Sequence, residues 1–144
     1  MQEIRELSLP ELREKMRELS EKPFRAEQIY SWLHERLCAS IDEMSNLSLP
    51  LREKLREHFR LFLPEPVKIL SSGLDGTRKF IFRLEDGHII ESVFMRYRHG
   101  NTVCISSQVG CRMGCRFCAS TLEGLARNLS AAEMLTQVYQ IQRL

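Results

Sequence analysis

Three cysteines, Cys111, Cys115 and Cys118, stand as C-x-x-x-C-x-x-C in the stretch CRMGCRFC. A short loop with that spacing offers three soft thiolates to one metal centre. A four-iron cubane held by three cysteines keeps one iron open, so it can bind a small molecule as well as pass electrons. Zinc is the competing reading. It wants four ligands, usually in two paired motifs, and here the fourth would come from Cys38, Cys104 or a histidine. An electron-transfer ferredoxin needs a fourth nearby cysteine, and none stands at the required spacing.

Charge narrows the partners only locally. The net charge is +2. Residues 1–62 balance 11 Lys/Arg against 12 Asp/Glu, whereas residues 96–128 hold Arg96, Arg98, Arg112, Arg116 and Arg127 against Glu123 alone. That cationic stretch suits an anionic cofactor or nucleic acid. No apolar run reaches membrane-spanning length and no secretory leader opens the chain, so a cytoplasmic, membrane-free setting and reduced thiols are expected.

The pattern reads as two parts. Ser8-Leu9-Pro10-Glu11 is a capping box, followed by Leu9, Leu12, Met16 and Leu19 at helical spacing. Pro23 breaks the chain. Ala26, Ile29, Tyr30, Leu33 and Leu37 form a second stripe with Trp32 beside it, and Ser48-Leu49-Pro50 opens a third with Leu51, Leu55 and Phe59. Helices this short need mutual packing, so residues 1–62 are expected to form a small helical domain, with Cys38 and Trp32 in its core. From residue 63 onward the period changes. Phe80, Phe82 and Leu84 alternate with polar or outward positions between Asp75-Gly76 and Asp86-Gly87, a strand between two turns. His88–Met95 and about Thr102–Ser106 read as further strands. Ser130-x-x-Glu133 caps a helix with Met134, Val138 and Ile141 on one face. The overall class is α+β or α/β: a β-hairpin region, then a β-loop-α unit that resembles the first third of a crossover and wants a parallel partner strand. The sequence reads as if it stops in mid-domain.

The aromatic Phe117 before the last cysteine makes the triad resemble the radical S-adenosylmethionine (SAM) signature. The segments PFRAEQIYSWLHERL, IIESVFMRYRHGN, VCISSQVGC, FCAS and GLARNLSAAEM, in this order, resemble the RlmN/Cfr family of radical SAM RNA adenine methyltransferases, RlmN most closely. The likeness covers almost the whole chain. It implies a [4Fe-4S] cluster on Cys111, Cys115 and Cys118 that presents SAM at its open iron. It also implies a helical RNA-binding accessory domain at 1–62, and at 63–144 the start of an incomplete β/α barrel with the cluster loop at 111–118. The implied reaction is methylation of C2 of an adenine in 23S rRNA, and in some members of a tRNA adenine, with flavodoxin or ferredoxin as electron donor and a monomeric enzyme.

The resemblance also assigns two further residues. On a strand, Thr102, Cys104 and Ser106 point one way and Val103 and Ile105 the other, so Cys104 lies on the more polar face. The residues alone leave it a packed thiol or a reactive one. By resemblance it is the thiol that resolves a protein–RNA adduct through a transient disulfide with a methyl-carrying cysteine outside these residues. Glu91, the sole carboxylate in HIIESVFM, is either a solvated outward residue on an edge strand or a desolvated acid. By resemblance it is a proton acceptor. Without the methyl-carrying cysteine, the isolated 144-residue chain is expected to be inactive. The alternatives are a Cfr-type C8 methyltransferase and a non-enzymatic zinc or iron–sulfur RNA-binding module.

Overall fold

The computed structural model describes residues 1–144, which divide into two units, Met1–Leu63 and Pro64–Leu144.

The first unit is built from α1 (Leu9–Glu18), α2 (Arg25–His34) and α3 (Leu49–His58), with a two-residue parallel pairing of β1 (Gln2–Glu3) and β2 (Phe59–Arg60). The first helix starts where the Ser8 N–H donates to the Glu11 carboxylate at 2.8 Å. It ends on Ser20 at φ 57°, with Glu21 N–H donating to Met16 O and Ser20 N–H to Arg17 O. That is a Schellman closure with serine in place of the usual glycine. Leu12, Met16, Ile29, Leu33, Leu51 and Leu55 are buried together, each contributing about 1.5–3 kcal/mol of transfer free energy. Cys38 is fully buried in this core, while Trp32 only packs against its rim, donating Nε1–H to Asn46 at 2.6 Å.

Two details depart from the sequence pattern. The second helix stops at His34, so Leu37 lies beyond it, in the left-handed region at φ 54°. Phe59 has left α3 and starts β2, although it stays buried. The ends of the unit are tied by Arg5, whose guanidinium donates to Cys38 O at 2.6 Å and Phe62 O at 2.8 Å. Beside it, burial holds the Glu3 carboxyl above its ordinary range, against the opposing hydrogen bond from Phe62 N–H.

The second unit centres on a four-stranded antiparallel meander of β3 (Pro66–Ser71), β4 (Arg78–Arg83), β5 (Ile89–Tyr97) and β6 (Gly100–Cys104). The edge strand β3 has no alternating signature and was not legible in the sequence. The Asp-Gly turns close as expected, with Gly76 at φ 72° and Gly87 at φ 88°, a conformation glycine adopts without steric cost. Phe80, Phe82, Ile90 and Phe94 line one face, and α4 (Ala131–Arg143) contributes Ile141 to the same core. A separate ribbon, β7 (Gln108–Gly110) paired antiparallel with β8 (Leu125–Asn128), precedes α4.

Two expectations change here. The strand before the cysteine loop covers Gly100–Cys104 rather than Thr102–Ser106. The reason is that the Gln137 side chain takes both the N–H and the carbonyl of Ser106, at 2.9 Å each, leaving them unavailable to a strand partner. The elements β6, cysteine loop and α4 follow in the expected order, and every strand pairing in this unit is antiparallel, so the β-loop-α unit has no parallel partner strand among these residues. The helix α4 buries Ala132, Thr136, Gln137, Gln140 and Ile141, while Val138 is partly exposed. Its inner face is thus rotated from the Met134–Val138–Ile141 stripe, because Gln137 is drawn inward by its hydrogen bonds.

Candidate active site

The cysteine loop is held at its base by backbone. The ribbon β7/β8 joins Gly110 to Leu125, and Cys111 N–H donates to Gly124 O at 3.0 Å. Gly110 has φ 74°, and a β-carbon there would lie 2.0 Å from the Gly124 carbonyl oxygen, so only glycine fits. Inside the loop, Cys118 N–H donates to Cys115 O at 3.1 Å, and the Thr121 hydroxyl reaches the carbonyls of Cys115 and Cys118 at 3.1 and 2.9 Å. The carbonyls are thereby turned towards Thr121. Met113 N–H points at the Cys111 sulfur at 3.4 Å.

All five cysteines are free thiols. Cys115 is exposed, and Cys111 and Cys118 are half-buried. Around them Phe117 is 95% exposed, Leu122 83% and Met113 76%, an apolar rim open to solvent. No three His, Cys, Asp or Glu side chains stand together as a metal-binding group. The donor chemistry nevertheless fits an iron–sulfur cluster: three soft ligands on one loop, none consumed by a disulfide. Arg112 and Arg116 on this loop are exposed, and no carboxylate pairs with them.

Arg127, counted with them in the cationic stretch, is committed elsewhere. It donates to Asp86 at 2.7 Å and to both oxygens of Glu133 at 2.8 Å. Burial of the Asp86 carboxyl raises its pKa, but the His88 backbone N–H and the Arg127 and His88 side chains outweigh it and hold Asp86 at about 2. Arg127 likewise holds Glu133 below the usual carboxylate range.

The other two candidates share one sheet face. Cys104 closes β6 opposite Val93, and it is exposed while Val103 packs on the core. Glu91 lies two residues before Val93, hence on the same face, diagonal to Cys104. It sits on an interior strand rather than an edge. Its carboxylate is solvent-exposed among these residues and ion-paired with Lys79 Nζ at 2.7 Å.

Gln137 is the positioning residue that sequence reasoning missed. Fully buried, it accepts from the Ser92 hydroxyl at 2.7 Å and Ser106 N–H at 2.9 Å, and donates to Ser106 O. It fixes the chain two residues after Cys104. The available signal was an amide three residues after Met134 and four before Ile141, on the apolar face of the helix.

The chain holds a small helical unit and a unit with an antiparallel sheet and, on a separate ribbon, a tri-cysteine loop, and comparison with known proteins finds relatives for both. Residues 2–61 match the family described as ribosomal RNA large subunit methyltransferase N-terminal domain. The chain is 56% identical over 144 residues to the "Probable dual-specificity RNA methyltransferase RlmN" of Lachnospira eligens, covering 100% of this chain and 41% of that protein. It is also 56% identical over 142 residues to the protein of the same name from Lachnoclostridium phytofermentans, covering 40% of it. A crystal structure of a radical SAM methyltransferase from Sphaerobacter thermophilus superposes with a TM-score of 0.90 at 39% identity, over 99% of this chain and 42% of that one. Over its whole length the chain is similar to the N-terminal portion of these proteins named as RlmN RNA methyltransferases, and residues 2–61 match their N-terminal domain. It spans about two fifths of the length of these relatives. No helix is long and apolar enough to cross a membrane.

Proposed function

We propose that the chain is part of a radical SAM enzyme that methylates C2 of an adenine in 23S rRNA, and a tRNA adenine as a second substrate. The observation that carries this reading is the set of three free thiols, Cys111, Cys115 and Cys118, on an exposed loop in a chain with these relatives. Those thiols would hold a [4Fe-4S] cluster, which supplies the electron that cleaves SAM. Flavodoxin or ferredoxin is the expected donor to it.

The chain's own residues then have two tasks. Once a methylene radical has joined adenine to a methyl-carrying cysteine outside these residues, the radical adduct must lose one electron, returned to the oxidised cluster, and Glu91 accepts the proton from the adenine carbon. The carboxylate must first leave Lys79, which is easy for an exposed pair worth only about 0–1 kcal/mol. The Cys104 thiolate then attacks the cysteine sulfur. A disulfide forms, the carbon–sulfur bond breaks with its electron pair on the product carbon, and a proton completes the methyl group. A thiol with open access on the face shared with Glu91 suits that attack.

Anaerobic reconstitution with iron and sulfide tests the reading. The wild-type chain should turn brown and hold both elements. Alanine at any one of Cys111, Cys115 or Cys118 should abolish this, while Cys38→Ala should lose stability but still bind iron. Stoichiometric zinc without sulfide would instead support a non-enzymatic module.

A further inference from the structure

The β5–β6 hairpin presents a feature that the chemistry of the cysteines does not use. Tyr97 and His99 stack with ring centroids 5.1 Å apart and planes 10° from parallel. Both are exposed at the hairpin end, Tyr97 by 52%. The cross-strand partner of Tyr97 is Gly100, which has no side chain to lie over the ring. Two parallel rings in solvent form a platform that a third planar ring can extend. Arg98 follows Tyr97 in the turn, exposed and with no ion pair, whereas Arg96 lies on the opposite face of β5 over the Phe94 ring at 5.8 Å. Between residues 92 and 122 there is no Asp or Glu at all.

The platform also lies on a defined face. The Tyr97 hydroxyl reaches the Met95 sulfur at 3.3 Å, which puts both side chains on the side of β5 that carries Val93 and Glu91. Cys104 is opposite Val93. Tyr97 is four residues further along, about 13 Å at a strand rise of ~3.3 Å. A strand of RNA lying on this face would reach both points within about four stacked nucleotides.

We propose that Tyr97 and His99 form a stacking site for an unpaired RNA base that neighbours the nucleotide presented to Cys104, with Arg98 holding an adjoining phosphate. Aromatic stacking accepts any base, so the site positions an unpaired loop without reading its sequence. The inference rests on the reading of this chain as part of an RNA-modifying enzyme.

The test is binding of the 144-residue chain to a stem-loop RNA with an unpaired adenine-containing loop, carrying 2-aminopurine at successive loop positions. Wild type should bind and quench the probe at one or two positions near the adenine. Tyr97→Leu with His99→Leu should abolish the quench and weaken binding roughly 5- to 100-fold, the range that stacking of one base carries. Tyr97→Phe, which keeps the ring, should retain both. Arg98→Ala should weaken binding to all RNAs alike and reduce the salt slope by about one. Circular dichroism on each variant confirms folding. Equal binding and quenching by the double leucine variant would overturn the stacking site and leave the RNA reading standing, the ring pair then serving only the hairpin. Failure of wild type to bind the RNA even at low salt would overturn both.

Discussion

Gly110 and Gly124 approach so closely that a β-carbon on Gly110 would meet the Gly124 carbonyl oxygen at 2.0 Å. That contact closes the cysteine loop, because the same carbonyl accepts the N–H of Cys111. Gly110→Ala should therefore open the loop at its base. The left-handed φ alone costs about 1–2 kcal/mol, and the clash adds to it. Gly114→Ala, with φ 67° but nothing within 4 Å of its β-carbon, should show the conformational cost only. Iron content after reconstitution should fall much further in Gly110→Ala than in Gly114→Ala, and equal values would show that the close approach does not matter.

Gln137→Leu removes four hydrogen bonds from one buried amide. The Ser106 N–H and carbonyl and the Ser92 hydroxyl lose their partner in a setting with little water. At about 1–3 kcal/mol for an unsatisfied buried group, the loss should be about 3 kcal/mol, read as a lower urea midpoint. Hydrogen exchange at Ser106 and Ser107 should accelerate more than in β4. A midpoint unchanged from wild type would mean that the amide is not holding the strand end.

The Arg127 cluster makes a prediction for low pH. Asp86 titrates at about 2 in the folded protein, below its ordinary 3.8. The unfolded chain takes up that proton first, so the stabilisation is complete above about pH 4 and is lost as pH falls towards 2. Glu133, also depressed by Arg127, adds to the same window with the same sign. Arg127→Gln should raise both carboxylate pKa values, measured by carbon NMR titration, and should flatten the stability difference between pH 5 and pH 2. The effect is modest because Asp86 is close to solvent.

Cys104→Ala separates a resolving thiol from a cluster ligand. In the polypeptide that carries the methyl-bearing cysteine, the variant should keep its iron and cleave SAM, yet accumulate protein covalently joined to RNA. Denaturing gels should show a species shortened by nuclease. Loss of iron would make Cys104 a ligand, and normal turnover without adduct would make it a bystander on the sheet surface.

The local order of the chain was written in its residues. Ser8/Glu11 and Ser130/Glu133 cap the helices that they announce, because a capping box satisfies backbone groups with side chains three residues away. The Asp-Gly turns bound β4 for an equally local reason: glycine tolerates the required φ. The alternation of Val103 and Cys104 set the two on opposite faces by itself, and the fold left the Cys104 face exposed. The tri-cysteine spacing likewise named the soft-ligand chemistry by itself.

Tertiary structure decided whatever depends on residues far apart in sequence. The unsignalled edge strand β3 and the exposure of Glu91 beside Lys79 follow from which strands meet, and periodicity does not encode that. Arg127 looked like one more free cation until Asp86, 41 residues earlier, took it. Gln137 turned inward against its polarity because Ser92 and Ser106, 45 and 31 residues away, needed partners. A buried backbone group must be satisfied by whatever the fold brings near, and only the assembled chain determines which side chain that is.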